Sequence, residues 1–484
     1  MTFARLVLAA STYEPVPEPR TTHLPVESTA RTLVQFYETT VLPLYPAFPG
    51  TSLHALVSDI YQEHPRPIRS SEYWMFWMVL AIGSAAQSRN RQDEHYLNAV
   101  EFVARALPHA DRALKPGYVT QVQSLLLLTQ YSMLDPAHFD SWHPIGFTCR
   151  AVVDQGLHQD PPQAQQVDQD VLDARRRTFY CVYALDRSVL GSHLVLGHAL
   201  TLWLCRAISM AHARAFSFYD DAVSVALPSP GQPGGTLAGG QITKPIPDAS
   251  VSLFRLRQLQ SDWYQMLYQG NPTEPLPDAT SFIWQKYYEM WEWSERLPTD
   301  VPVAIREMLD LELRYSYVYC VASSARGAQV SAYGRLLIFE HAISYMDRIY
   351  DIANLTTNTA LYTYHDALRV FFMGSQFVAV LRDAGDLLLS GSPIPIPPSV
   401  PGKVSPPPQP VRLDRGTGDN LDRSLRCLER VKLTLRLYGH RWKDALSLME
   451  SFDTISAEVW KNLSARRAMR NAHAAGHWQP APGA

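Results

Sequence analysis

Cysteine is scarce in this sequence and comes late. The five in 484 residues are Cys149, Cys181, Cys205, Cys320 and Cys427. None lies within C-x-x-C reach of another, so the spacing fits neither a disulfide framework nor a zinc site. Buried free thiols in a reducing compartment are the expectation. The sequence also lacks G-x-S-x-G, H-E-x-x-H and a P-loop, which removes the usual catalytic signatures. No segment offers the ~20 apolar residues that a membrane-spanning helix needs. The nearest, 194–205, is short and holds His198. The N-terminus has a very short apolar run and then prolines, which makes a poor secretory signal. An intracellular protein with no membrane contact is expected. Charge is sparse as well, at 18% with a net of −3. That excludes a chain-wide field for polyanions and leaves only local patches.

What is present is apolar and helical. Hydrophobic residues make up 46% of the chain, enough for a large core. Residues 1–30 are rich in Pro, Thr and Glu without periodicity and read as a flexible leader. From about residue 31, steps of three and four dominate. Val119, Val122, Leu126, Thr129 and Met133 form one such series. Leu336, Phe339, Ile343, Met346 and Tyr350 form another, as do Tyr364, Leu368, Phe371, Ser375 and Val378, and Leu421, Leu425, Leu428, Lys432 and Leu435. Each predicts a helix with one buried face. Pro302 stands where a proline opens a helix. No strand alternation and no fixed-period repeat is found, so the fold class is all-α, a large multi-helix domain over 31–465. Two Pro-rich stretches, 226–247 and 391–412, read as exposed loops, and 466–484 as a basic flexible tail.

Several features invite a chemical reading. Asp220-Asp221 suggests a metal, but Ser224 stands where a third carboxylate is needed, and a loop or helix-cap role is favoured. His158 has no ligand partner at helical spacing and reads as a structural histidine near a helix end. The aromatic run YWMFW (Tyr73–Trp77) reads as a buried helix rather than a ligand platform. Lys461, Arg466, Arg467 and Arg470 read as a solvated helix end. The stretch DARRRTFYCVYALDRSVLG (173–191) is the most informative. At ~100° per residue, Arg175, Arg176 and Arg177 fan over about 200° and do not face one phosphate backbone together. Arg177 follows Asp173 by four residues, the favourable order for a pair. From Thr178 to Leu190 the helix is apolar nearly all round and is expected in the core. Asp186 and Arg187 inside it need partners, because an unpaired buried charge is very costly.

Together these residues resemble a known family. SWHPIGFTCRAVVDQGLHQDP (141–161) followed by 173–191 is similar to the middle homology region of fungal zinc-cluster transcription factors. Trp142, Gly146, Arg150, Gly156, Leu157, His158, Asp160, Arg175, Arg176, Arg177, Phe179, Asp186 and Arg187 fit its pattern. FYETTVLPLYPAFPG (36–50) looks like the family's entry segment and RWKDALSLMESFD (441–453) like its closing helix. The resemblance covers roughly 31–460. It implies an all-α regulatory domain and a nuclear regulator of transcription, controlling a metabolic or secondary-metabolite gene cluster. It also implies a homo- or heterodimer with transcription regulators and a small-molecule effector, and no enzyme activity. Trp142, Gly156, His158, Arg175, Arg176, Arg177, Asp186 and Arg187 are the structural markers, with no catalytic or metal residue among them.

Two departures stand out. The family's DNA reader is a six-cysteine binuclear zinc cluster ahead of this region, and no cysteine precedes Cys149. Zinc is therefore expected in a missing N-terminal module and no cofactor in this chain. Either the true start lies upstream, or this is a regulator that has lost its reader and meets DNA indirectly. The second reading makes it a DNA-binding-deficient helical interaction protein that dimerises with or titrates a full-length regulator. The other departure is at Gly191, where the family continues directly into a segment like RAFSFYDDAVSVALP. Here residues 192–213 intervene. They read as a retained intron, since 22 codons are 66 nucleotides, or as a lineage-specific insertion.

Overall fold

A computed structural model describes residues 2–64, 66–162, 168–190, 216–229, 249–269, 274, 276–324, 326–327, 329–358, 360–412 and 418–476. The described residues form helices and no sheet; the extended contacts are two isolated bridges, Thr12–Phe139 and Gln159–Ser224. The all-α class is thereby established. The helices are α1 (Phe3–Ser11), α2 (Glu27–Thr40), α3 (Gly50–Tyr61), α4 (Ser70–Gln87), α5 (Glu94–Ala106), α6 (Ala110–Ala113), α7 (Val119–Leu134) and α8 (Trp142–Asp154). They continue with α9 (Gln169–Leu190), α10 (Ser250–Tyr264), α11 (Ala279–Glu295), α12 (Val303–Val321), α13 (Ala332–Ala353), α14 (Tyr364–Leu389), α15 (Asn420–Gly439) and α16 (Asp444–Gly476). The four periodic series of the sequence fall on α7, α13, α14 and α15. Pro302 takes the N-cap position of α12.

Most helices pack on their sequence neighbours, and two serve as hubs. In the first half α4 lies against α2, α5 and α7. Its residues from Trp74 to Ala86 are nearly all buried, as the YWMFW run implied. Gly83 allows the close approach to α2: a Cβ there would stand 2.7 Å from the Leu33 carbonyl oxygen. In the second half α14 packs against α13, α15 and α16. It starts on a capping box, with Asp366 accepting from the Thr363 N–H at 2.7 Å. The chain α7–α8–α9–α10 joins the halves, and one continuous apolar core runs through both.

Buried ion pairs tie the second half together. Arg257 on α10 meets Glu312 on α12 through two hydrogen bonds of 2.8 and 2.9 Å, and Arg369 on α14 approaches the same carboxylate to 2.6 Å. Burial alone would raise the Glu312 pKa, but the two guanidinium groups outweigh it and hold the carboxyl at about 2. A second pair, Arg423 with Glu340, joins α15 to α13.

Three segments differ from the sequence reading. Residues 1–30 are not a leader throughout: α1 buries Ala4, Val7 and Ser11 against α8 and α6. These three share one helical face, and the prolines after Glu14 obscure so short a stripe. Stretch 391–412 lacks regular structure but is strapped down: Ile394 and Pro407 are buried, and the Pro406 and Pro407 carbonyls accept from Tyr288 and Tyr333 at 3.0 and 2.5 Å. Residues 466–476 continue α16, and Arg470 pairs with Asp419 and Asp422 ahead of and within α15. Residues 192–213 and most of 226–247 lie outside the described residues.

Candidate functional site

The site grows from the end of α8. Asp140 accepts from the Trp142 and His143 N–H groups at 3.0 and 3.2 Å and so satisfies the helix start. Trp142, in the first turn, is half-buried. The helix ends on Gly156, whose φ is +62°. Gly156 N–H donates to the Val153 carbonyl and Leu157 N–H to the Val152 carbonyl, both at 3.0 Å. This is a Schellman closure, which favours glycine at the left-handed position. The turn leads into residues 157–160, and these pair with the segment that returns after α9. Ser224 N–H donates to the His158 carbonyl at 3.2 Å, and Asp160 N–H to the Ser224 carbonyl at 3.1 Å. His158 thus acts through its main chain. Its half-buried ring has no hydrogen bond at Nδ1.

The three arginines point to three different anchors, all within the fold. Arg175 donates to the Gly156 carbonyl at 2.6 Å. Arg176 grips Asp160 with two bonds of 3.0 and 2.6 Å. Arg177 pairs with Asp173 at 3.1 Å, the i,i+4 partner, and also donates to the Ser229 carbonyl at 2.5 Å. Burial would raise Asp160, but Arg176 and the Ala226 N–H outweigh it and hold its carboxyl below the usual range. These guanidinium groups are committed to carbonyls and carboxylates, not displayed for a phosphate backbone.

Deeper along α9, Phe179 to Leu185 are buried on every side, as the apolar run implied. Asp186 is fully buried and accepts from Arg187 at 2.8 Å, from the Ser217 hydroxyl at 2.8 Å and from the Cys149 thiol at 3.6 Å. Burial still pushes its pKa up, with Arg187 and Ser217 offsetting part of the shift. Arg187 spans the site. It donates to the Phe218 carbonyl at 2.9 Å and to Asp220 at 3.0 Å. Its guanidinium lies 3.7 Å from the Tyr183 ring centroid and 4.6 Å from that of Phe216. Asp220 also accepts from Tyr183, Ser261 and Gln265 at 2.8, 2.6 and 3.1 Å. The acid that invited a metal reading is a junction between α9 and α10.

The expectation that Asp186 and Arg187, buried in this helix, need partners is met by each other and by residues 217–220. Sequence reasoning did not find Ser217, Ser261 or Gln265, which carry no pattern of their own. Asp220 carried the one usable signal, an acid shortly after the Asp-Arg pair once 192–213 is set aside. Among the described residues, no group of three or more His, Cys, Asp or Glu is placed to hold a metal ion. The described cysteines are buried singly, one each on α8, α9, α12 and α15, and do not fit a zinc cluster. No helix of the described residues is long and apolar enough to cross a membrane.

This arrangement coincides with a known domain. Residues 35–199 match the fungal specific transcription factor domain. The chain carries that domain. The match takes in α8, the Gly156 turn and α9 with its Asp-Arg pair, while the answering residues 216–229 lie just beyond it. Among curated relatives, the chain is 22% identical over 335 residues to Pyrimidine pathway regulatory protein 1 of Saccharomyces cerevisiae, covering 64% of this chain and 33% of that protein. It is 23% identical over 305 residues to the Positive regulator of purine utilization of Emericella nidulans, covering 46% of this chain and 27% of the relative. The chain therefore spans about a third or less of the length of these relatives. Both are regulators by name, and neither is an enzyme by name.

Proposed function

We propose that this protein is a transcriptional regulator of the fungal zinc-cluster type, acting in the nucleus, and that the 484 residues form its regulatory scaffold. The observation that carries the reading is the match over 35–199, together with the closed network that its Asp186-Arg187 pair makes. The committed arginines support a scaffold role for 173–191, with DNA reached indirectly or through a module outside this chain. A zinc-bearing reader belongs to that other module in this reading, and dimerisation with another regulator supplies the connection. The names of the two relatives, one of a pyrimidine pathway and one of purine utilization, favour a metabolic gene set as the target. The second reading, a DNA-binding-deficient interaction protein that titrates a full-length regulator, draws on the same committed arginines.

The test is a reporter assay in a fungal host. The chain is fused to a heterologous DNA-binding module and compared with that module alone. The reading expects reporter output to change at least several-fold in either direction. No change, with the fusion present in the nucleus at normal abundance, defeats it. Titration predicts instead that the unfused chain lowers output from a full-length regulator.

A further inference from the structure

The Pro-rich strap between α14 and α15 has two limbs joined by a tight corner. Gly402 has φ +78°, and the Lys403 N–H donates to the Val400 carbonyl at 3.0 Å. Pro401 and Gly402 thus hold the central positions of a type II turn, which favours that pair. The Gln409 side chain donates to the Ile394 carbonyl at 2.8 Å, and the Ser405 hydroxyl to the Ser399 hydroxyl at 3.0 Å. These bonds tie the outgoing limb to the return limb, which Tyr288 and Tyr333 fasten to the fold.

Sequence fixes the shape of the outgoing limb. From Ser392 to Pro401 every residue except Ser399 is a proline or precedes one. Proline holds φ at about −65°, and a residue before proline is pushed to extended or polyproline II angles. The limb is therefore a polyproline II segment, with about three residues per turn. Its burial agrees. From Gly391 to Pro401 only Ile394 and Pro397, three positions apart, are not exposed. One edge rests on the fold and the rest faces solvent.

Hydrogen-bonding capacity on this limb is one-sided. Its prolines carry no N–H, and no donor among the described residues reaches the carbonyls of 395–399. That excludes a strand edge as partner, because a ladder needs N–H groups from both chains. It fits a groove lined by tyrosine and tryptophan, whose hydroxyl and indole N–H donate while the rings cover proline. The fold uses the same chemistry on its return limb, where Tyr288 and Tyr333 donate to the Pro406 and Pro407 carbonyls. Spacing selects the kind of groove. Pro398 and Pro401 are exposed, lie one turn apart and each follow an apolar residue, Pro397 and Val400; Lys403 comes two positions later. This is the P-x-x-P pattern of SH3 ligands, with a cation for an acidic rim. Lys403 now pairs with Asp278 at 3.1 Å, but both side chains are well exposed, so exchanging that partner costs about 1 kcal/mol or less. Glycine at 402 lets the corner open.

We propose that residues 397–403, at the tip of the strap, dock into the groove of an SH3-type module on a partner protein. Pro397-Pro398 and Val400-Pro401 fill its two aromatic pockets, and Lys403 meets its acidic rim. Because Pro397 to Pro401 are already held in the bound shape, docking loses little conformational entropy. This goes beyond the regulatory reading and is measured without it, on purified proteins.

The probes are purified fungal SH3 domains that bind P-x-x-P-x-Lys peptides, titrated by calorimetry against the full 484-residue chain. At least one should bind with a Kd of about 100 µM or tighter. The double variant Pro398→Ala, Pro401→Ala changes only exposed side chains, so Tm should stay within about 1 °C, while binding weakens at least about tenfold. Pro393→Ala, on an exposed proline outside the tip, should leave the affinity within about twofold. Lys403→Glu provides a second variant and should weaken binding at least about fivefold. The proposal is overturned if no SH3 domain reaches about 100 µM, if the double variant or Lys403→Glu binds as the wild type does, or if Pro393→Ala weakens binding as much as the double variant. A WW domain that binds more tightly than every SH3 domain also overturns it.

Discussion

Arg187→Met is the most revealing single change, because it isolates what the buried Asp-Arg pair contributes. Methionine keeps much of the apolar volume beside Tyr183 and Phe216 and removes the charge. Asp186 is then left fully buried with Ser217 and Cys149 as its remaining partners. Breaking one side of a buried pair costs about 3–5 kcal/mol. The loss depends on pH in a defined direction. Burial already holds the Asp186 pKa above its ordinary value, and losing Arg187 raises it further. The folded variant then binds the Asp186 proton more tightly than the unfolded chain does. Its deficit against the wild type is small in acid and grows as pH rises past the ordinary carboxylate range. The double variant Asp186→Leu, Arg187→Met has no stranded charge. It leaves the Phe218 carbonyl and the Ser217 hydroxyl without their partners, a cost of about 1–3 kcal/mol. The double variant should therefore be more stable than Arg187→Met alone at neutral pH. Urea unfolding followed by far-UV circular dichroism at several pH values gives the comparison. A single-variant cost below about 1 kcal/mol, or a double cost equal to the sum of the singles, refutes the reasoning.

Other expectations follow from the same structure. Gly156→Ala places a side chain at φ +62° and should cost about 1–2 kcal/mol; a neutral effect on Tm would mean that the Schellman turn is not required. Glu312→Gln should cost about 3–5 kcal/mol, because Arg257 and Arg369 lose their shared carboxylate. The wild type should also lose Glu312's contribution as pH falls from the ordinary glutamate range toward about 2, since there the unfolded chain binds the proton more tightly. The variant should lack that part of the acid transition, and identical acid unfolding curves would contradict it. Removing 192–213 leaves six residues (188–191, 214 and 215) between Arg187 and Phe216. Since 188–190 belong to α9, residues 191, 214 and 215 must span from Leu190 to Phe216, a reach of about 13 Å, while the Arg187 guanidinium and the Phe216 ring are only 4.6 Å apart. The deletion should keep Tm, and a chain that no longer folds would show that the segment belongs to the scaffold.

Helical periodicity made the long helices legible, because α7, α13, α14 and α15 each present a stripe over several turns. The same logic dispersed Arg175–Arg177 and placed Asp186 inside the core before any partner was known. The partners themselves were not legible. Ser217, Ser261 and Gln265 are short polar residues on a return segment and on α10, and only the fold brings them to Asp186 and Asp220. Short or irregular elements were harder still. α1 has barely two turns of pattern, and the 391–412 strap is held by tyrosines more than 70 residues distant in sequence.

The central claim is that the arginine run builds the scaffold and does not grip nucleic acid. Exchanging the charges of one pair tests it most directly. Arg176→Asp sets two carboxylates against each other at a site where both side chains are mostly buried, and it should lower both stability and tethered reporter output. Arg176→Asp with Asp160→Arg restores opposite charges across the same gap, although the Ala226 N–H loses its acceptor. The account predicts that the exchanged pair recovers at least about half of the lost stability and a matching part of the reporter output. A single variant that folds as well as the wild type but is inactive, and that the exchange does not rescue, would contradict the account.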